Sequence, residues 1–414
     1  MDDSNDALRR TLLITLSGND RPGVTRRLFA TLAEHPATVL DVEQLVVRSR
    51  LVLAALVELT GDDDEMARTR TAVRHLAADL DMDVDTVPGA AEDDERRHNR
   101  IHITMMGSPL TPRAISHVTA EIADRGGNID RIRRVASYPV TAIVFEGSGV
   151  SVEELRRPLA TAAAAHGADI AVQEAGLDRR GQYLVVMDVD STFIQNEVID
   201  LLAAEANVEP QVAAITERAM AGELDFEESL RARAALLVGL PVSALDRVRE
   251  RITLTPGART LCRTLHRLGY RVALVSGGFT EVIAPLADEL GVADVRANTL
   301  EVHDGVLTGQ IIGDVIDRMG KRAALEEIAR EHGIPKRRTI AIGDGANDID
   351  MLEAAGLGIA FNAKAAARAA ADTAVNVPYL DSVLYLIGVT REEIESADAR
   401  EGLETPAPGR RDTA

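Results

Sequence analysis

Hydrophobic and polar positions along the chain follow two regimes that meet near residue 180. Before that point, short alternating apolar and polar runs, the pattern of half-buried strands, are broken by stretches with apolar positions three or four apart, the pattern of amphipathic helices. "LLITLSGNDRPG" opens one such unit and "IHITMMGSPLTP" opens another, and aligning them pairs Thr15 with Thr104 and Gly18 with Gly107, an offset of 89 residues. So long an offset indicates a duplicated domain, because solenoid repeats recur every 20–50 residues or so. Each copy begins with a strand, a Gly/Pro turn and a helix ("VTRRLFATLAE"; "AISHVTAEIAD"). Two β-rich runs follow ("VLDVEQLVV" and "LVLAALVEL"; "NIDRIRRVA" and "VTAIVFEG"), then a second helix and a last alternating strand ("MDVDTV"; "ADIAVQ"). The predicted order is βαββαβ, the ferredoxin-like split, over 11–88 and again over 101–176. Ser151 and Glu154 have capping-box spacing at the second helix of the second copy. Residues 1–10 read as a tail, and the charged, turn-rich segment 89–100 reads as a linker.

From 181 onward, strands alternate with longer helical patterns, which predicts an α/β domain with a Rossmann-like parallel sheet covered by helices on both faces. Core strands are expected at 183–188, 271–276, 339–343 and 357–361. Residues from about 194 to 257 contain helical patterns and no good strand, so they read as a helical cap inserted into a domain that runs to 397. The charged stretch 398–414 is expected to be a disordered tail.

Composition narrows the partners. With 66 Asp plus Glu against 46 Lys plus Arg, the chain of 414 residues carries a net charge of −20, a field that repels nucleic acid and anionic lipid. The start "MDDSNDALRR" has no apolar signal region, and runs such as "LVLAALV" are much shorter than the roughly 20 residues of a membrane span, so a cytoplasmic protein without membrane contact is expected. The single cysteine, Cys262, permits no internal disulfide and sits in a helical pattern as a small core residue. His303, in the turn-like "EVHDG", receives no function.

The chemistry gathers where apolar strands end, which is where open α/β sheets place their ligands. "LVVMDVDSTF" supplies Asp188 and Asp190; "VSGGFT" supplies Ser276, Gly277 and Gly278; "RMGKRAAL" supplies Lys321; "IGDGANDIDM" supplies Asp344, Asn347 and Asp348. Two carboxylates about 4 Å apart repel by about 4 kcal/mol at a protein surface. Several converging carboxylates are tolerable only if a divalent cation or a cationic ligand sits among them, and hard oxygen donors without a Cys/His cluster favour Mg²⁺ as the ion. Ser276 and the main-chain N–H groups beside its glycines suit anionic oxygens, and Lys321 adds a point charge, so the site suits a phosphoryl group. In this reading Asp188 is the nucleophile that forms an aspartyl-phosphate, and Asp190 is the general acid and base, its main-chain carbonyl free to reach the metal. Asp188 and Asp344 are the carboxylate ligands of the ion, and Asp348 supports them from behind.

The ordered set "DVDST", "SGG", a lysine and "GDGAND" resembles the haloacid dehalogenase-like phosphatases over about 183–375. Within the cap, Phe226, Leu230, Arg233 and Leu237 share one helix face at i, i+4, i+7 and i+11. "DVDSTFIQNEVID" followed by "MAGELDFEESLRAR" is similar to phosphoserine phosphatases. That resemblance implies Mg²⁺-dependent hydrolysis of O-phospho-L-serine to L-serine, the last step of serine biosynthesis. It places Glu197 on the substrate ammonium, Arg233 on its carboxylate, Met220 and Phe226 around the closed pocket, and Asn347 with Ser276 and Gly277 on the phosphate side. Two other readings remain open: transfer of the phosphoryl group to another alcohol such as homoserine, or a catalytically idle amino-acid sensor.

The duplicated units resemble ACT domains, which bind amino acids and pair side by side, implying a homodimer. The first copy carries "GNDRPG", Gly18 to Gly23; the second has "GSPLTP" and lacks the Asp, the Arg and the closing Gly. The resemblance implies that Gly18, Asn19 and Asp20 bind free L-serine and couple it to activity, with dimerisation alone as the alternative role.

Overall fold

The computed structural model describes residues 10–90, 99–176, 181 and 183–406. They form two compact units that divide after Arg96.

The first unit runs β1 (Arg10–Asn19), α1 (Val24–Leu32), β2 (Ala37–Val47), β3 (Arg50–Leu59), α2 (Asp63–Asp79) and β4 (Asp83–Ala90), in an antiparallel sheet of order β2-β3-β1-β4. Alternation sends Leu12, Ile14 and Leu16 of β1, with Leu51, Leu53, Ala55 and Val57 of β3, into a core with Val24, Leu28 and Val73 of the helices. The opposite face stays open: Leu13, Leu45, Val52 and Val87 are all more than a third exposed. β4 extends two residues beyond the expected end of the domain, and most of the expected linker, together with nearly all of the N-terminal tail, lies outside the described residues.

The second unit begins with the other repeat: β5 (Ile101–Gly107), α3 (Pro112–Ala123), β6 (Asn128–Ala136), β7 (Thr141–Ser148), α4 (Val152–Ala164) and β8 (Ala168–Glu174), in sheet order β6-β7-β5-β8. The capping box forms at α4, where Ser151 and Glu154 each accept a main-chain N–H from the other. Here the sheet's second face is covered. Met106, Val135, Ala142, Val144 and Ala171 lie in one continuous core with the side chains of the following α/β domain. Polar contacts secure the seam: Thr373 Oγ1 donates to Ile170 O at 2.6 Å, and Asp169 accepts both the N–H and the side-chain amide of Asn376.

The α/β domain is a seven-stranded sheet of order β12-β11-β10-β9-β13-β14-β15. Its strands are β9 (Leu184–Met187), β10 (Arg271–Phe279), β11 (Asp294–His303), β12 (Val306–Ile312), β13 (Thr339–Gly343), β14 (Leu357–Phe361) and β15 (Thr373–Val375). All pair in parallel except β12, which pairs antiparallel to β11. The expected four strands are the central ones, and β11, β12 and β15 are additional. β11 and β12 form a half-exposed edge hairpin whose polar residues break up the apolar run, and β15 is only three residues long. Residues between β9 and β10 supply α5 (Val198–Ala206), α6 (Glu209–Met220), α7 (Phe226–Ala235), α8 (Ser243–Arg251) and α9 (Ala258–Arg267). The cap leaves and rejoins the sheet through paired extended segments, with Ile194 bridged to Leu254 and Thr255 Oγ1 donating to Thr192 O. After β10 come α10 (Thr280–Glu289), α11 (Arg318–Glu331), α12 (Ile349–Ala354), α13 (Ala365–Ala370), α14 (Val383–Leu386) and α15 (Arg391–Arg400).

The structure corrects the expected start of the tail. Asp398 lies inside α15, fully buried, where it accepts from Arg263 at 2.9 and 2.7 Å and from Arg267 at 2.6 Å. Burial alone would raise its pKa, but Arg263, Thr405 and Arg267 hold it down at about 2. Taken singly, the charges of this segment predict a solvated tail; their partners on α9 make them structural. Residues 407–414 lie outside the described residues. Cys262 is buried in α9, and burial pushes its thiol up to about 12. No helix among the described residues is long and apolar enough to cross a membrane.

Candidate active site

β9 is apolar at all four positions because helices cover both faces of the sheet. It lies between β10 and β13, the place where strand order reverses, and the next residue is Asp188. One wide helical turn, Val189–Phe193, follows, and Ser191 within it has φ 58°. That turn swings Asp190 back toward the strand ends, where Val198 N–H donates to its Oδ1 at 2.8 Å and Ser276 Oγ donates to its Oδ2 at 3.3 Å. Ser276 is itself oriented by Gly278 N–H at 2.8 Å. Burial, and then the charge of Glu197, push Asp190 up to about 7.

Lys321, in the first turns of α11, is fully buried and bridges two carboxylates, Asp188 Oδ1 at 2.6 Å and Asp348 Oδ1 at 2.7 Å. Burial would lower its pKa, but Asp188 and Asp348 more than reverse this and raise it. Asp348 organises its own loop, its Oδ2 accepting from the N–H groups of Asp344 and Gly345 at 3.1 and 2.9 Å. Only glycine fits at position 343, since a Cβ there would lie 2.5 Å from Asp348 Cγ. Asp344 accepts Thr192 Oγ1–H at 3.1 Å and is pushed up to about 6, first by burial and then by Asp348.

Asp188, Asp344 and Asp348 each present an oxygen within 4.8 Å of the others. One ammonium cannot offset three carboxylates, and Asp188 is held well above the usual carboxylate range by burial and by Asp348, with Lys321 opposing. The donors are all hard oxygens, so the cluster suits a hard dication.

Above these groups lies a cavity of about 500 Å³. Asp188, Asp190, Gly277, Asp344 and Asn347 line its floor, and Glu197, Phe226 and Arg233 come from the cap side. Ser276, Lys321 and Asp348 stand directly behind the floor. Phe226 rests on Gly277, where a Cβ would meet its Cζ at 2.9 Å. Arg233 donates from Nε to Ser229 O at 3.3 Å, and among the described residues no carboxylate lies within ion-pair distance of its guanidinium. Glu197 accepts Ser191 Oγ–H at 2.7 Å. Met220 ends α6, and its side chain lies outside the described residues.

In the first unit Gly18 and Asn19 line a separate cavity of about 300 Å³, with Arg50 Nη1 donating to Asn19 Oδ1 at 3.2 Å. Asp20 is not in that lining; its N–H donates to Ser49 O at 2.8 Å.

A haloacid dehalogenase-like hydrolase model matches residues 185–353, and ACT domain models match 10–87 and 100–173. The phosphoserine phosphatase of Streptomyces coelicolor is 54% identical over 97% of both chains. The chain belongs to the phosphoserine phosphatase family. A second member, phosphoserine phosphatase SerB2 of Mycobacterium tuberculosis, is 48% identical over 94% of this chain and 96% of its own. The unliganded crystal structure of a probable phosphoserine phosphatase from Vibrio cholerae is 35% identical and superposes with a TM-score of 0.56 over 71% of this chain and 88% of that one.

Two groups around this family's site went unassigned by sequence reasoning. Thr192 ties the Asp188 turn to Asp344 and, through its carbonyl, to the cap's return at Thr255. Its position inside "DVDST" was the available signal. Lys364 lines the cavity beside Asp344, whose main-chain carbonyl accepts its N–H at 3.0 Å, and nothing in "FNAKAA" marks it.

Proposed function

We propose that this chain is a Mg²⁺-dependent phosphoserine phosphatase that hydrolyses O-phospho-L-serine to L-serine and phosphate. The observation that carries the reading is one cavity with two complementary ends: Asp188 bound to Lys321 at its floor, and, on its cap side, Arg233, a half-buried cation with no carboxylate within ion-pair distance among the described residues. A phosphomonoester with its own carboxylate and ammonium fits between them, the carboxylate on Arg233 and the ammonium on Glu197.

Ser276 Oγ, the N–H of Gly277, Asn347 and Lys321 hold the phosphoryl oxygens. Asp188, Asp344 and the main-chain carbonyl of Asp190, with Asp348 behind them, would hold Mg²⁺, which would supply charge neutralisation at those oxygens. A carboxylate oxygen of Asp188 attacks phosphorus as the bond to the serine oxygen breaks, and Asp190 gives that oxygen its proton. Water then attacks the aspartyl-phosphate; Asp190 takes the water's proton, the bond between phosphorus and the Asp188 oxygen breaks, and phosphate leaves. An acid near pH 7 suits both directions of proton transfer, because the best catalytic pKa lies close to the working pH.

The reading extends to a cytoplasmic homodimer joined through the first repeat, supported by that repeat's open apolar face, and to L-serine binding at Gly18, Asn19 and Asp20 as a regulatory signal. Phosphate release from L-phosphoserine, set beside other phosphomonoesters and measured with and without Mg²⁺, tests the activity. A chain that hydrolyses the others equally well, or works unchanged after chelation, would overturn it.

A further inference from the structure

The parallel ladder between β10 and β11 pairs Val275 with Arg296 and then jumps to Phe279 with Asn298. Ser276, Gly277 and Gly278 therefore bulge out opposite Ala297 alone, and the Gly277 carbonyl loses its place in the ladder. A half-buried carbonyl that leaves its ladder still needs a donor. The side chain of Asn298, itself 1% exposed, supplies one, with Nδ2 at 2.8 Å from Gly277 O. The other end of the same amide accepts Ile316 N–H at 2.8 Å. The next residue, Asp317, caps α11 by accepting Gly320 N–H at 2.7 Å, and its carbonyl accepts the N–H of Lys321.

We propose that Asn298 is a positioning residue for the phosphoryl group. Its planar amide sets the spacing between the Ser276–Gly278 loop and the start of the helix that carries Lys321, so that both reach the same oxygens. The asparagine amide offers a neutral donor and acceptor fixed in one plane on a short stem, and glutamine is a methylene too long for an enclosed site. The inference rests on the functional reading above and deepens it.

The test uses the full-length chain with Mg²⁺ and the variants Asn298→Ala and Asn298→Leu, of which the second keeps the branched shape and loses both hydrogen bonds. Leu265→Ala, in the core of α9, serves as a destabilised control. For the Asn298 variants kcat/KM for L-phosphoserine is expected to fall about 100-fold, the effect of moving reacting groups by about an ångström. Inhibition by inorganic phosphate should weaken about tenfold, the loss of roughly one good hydrogen bond's worth of alignment. The control, at a similarly lowered Tm, should keep both constants. Asn298 variants that retain kcat/KM within threefold, or a control that loses as much, would overturn the proposal. So would failure of both Asn298 variants to fold, since the amide would then be holding the core together. Turnover by the unaltered chain is read separately, so an inactive parent would count against the functional reading and not be mistaken for either result.

Discussion

Lys321 Nζ lies 2.6 Å from Asp188 Oδ1, with both side chains almost wholly enclosed. The contact holds the carboxylate in one orientation at the end of β9 and leaves Lys321 its second partner, Asp348. Asp188→Asn keeps the volume and removes the attacking charge. Turnover of L-phosphoserine is expected to drop about 10⁴-fold or more, as when a covalent nucleophile is removed, while circular dichroism and Tm remain those of a folded protein. A variant with substantial turnover would show that another group attacks phosphorus.

Arg233 of the cap has no carboxylate within ion-pair distance among the described residues. Replacing it with alanine should raise KM for L-phosphoserine by about 30-fold or more, the effect of removing one partner of a desolvated ion pair. The same variant should hydrolyse p-nitrophenyl phosphate, which has no carboxylate, within about threefold of the parent rate. Equal losses on both substrates would place Arg233 on the phosphate.

The acidic cluster ties stability to pH and metal. Asp190 at about 7 and Asp344 at about 6 keep protons in the folded chain at pH values where the unfolded chain, with ordinary carboxylates, has released them. Where the folded state binds more protons, stability falls as pH rises. The contribution is fully present below about pH 4 and is lost through pH 6 to 7. Asp398, depressed to about 2, acts in the opposite sense only at more acidic pH. Metal-free protein should therefore melt at a lower temperature at pH 7.5 than at pH 5.5. Mg²⁺ should restore more stability at the higher pH, by about 2.7 kcal/mol at a hundredfold excess over Kd. Scanning calorimetry with and without chelator checks both.

At the seam of the second unit, Asp169 is mostly buried and receives two hydrogen bonds from Asn376. Burial raises its pKa and Asn376 opposes this. Asp169→Ala strands the Asn376 N–H, and unfolding by urea should register a loss of about 1–3 kcal/mol. An unchanged midpoint would mean that the apolar contacts alone hold the seam.

That Asp188, Asp190, Gly277, Asp344 and Asn347 share one cavity was legible because their signals are local: each lies at or just past the end of an apolar strand, and parallel strands deliver their ends to one edge of the sheet. Both repeats were legible for the same reason, since alternation and turn residues repeat at a fixed offset. Sequence did not show the Asn298 amide, whose partners Gly277 and Ile316 lie 21 and 18 residues away, or the burial of Asp398, whose arginines are 135 and 131 residues away. Such polar groups look solvated until the fold supplies their partners. β15 escaped because three residues are too few to establish a period.

The two repeats share a topology but differ in what happens to the sheet face away from their helices. In the first, Leu13, Leu45, Val52 and Val87 meet solvent in the single chain; in the second, Met106, Val135, Ala142, Val144 and Ala171 are packed into the hydrolase core. A minimal enzyme made by cutting between 176 and 183 would thus inherit a raw apolar wound along β15 and α15. Domain shuffling at that joint would need a compensating surface redesign, so the second repeat is part of the hydrolase's interior architecture.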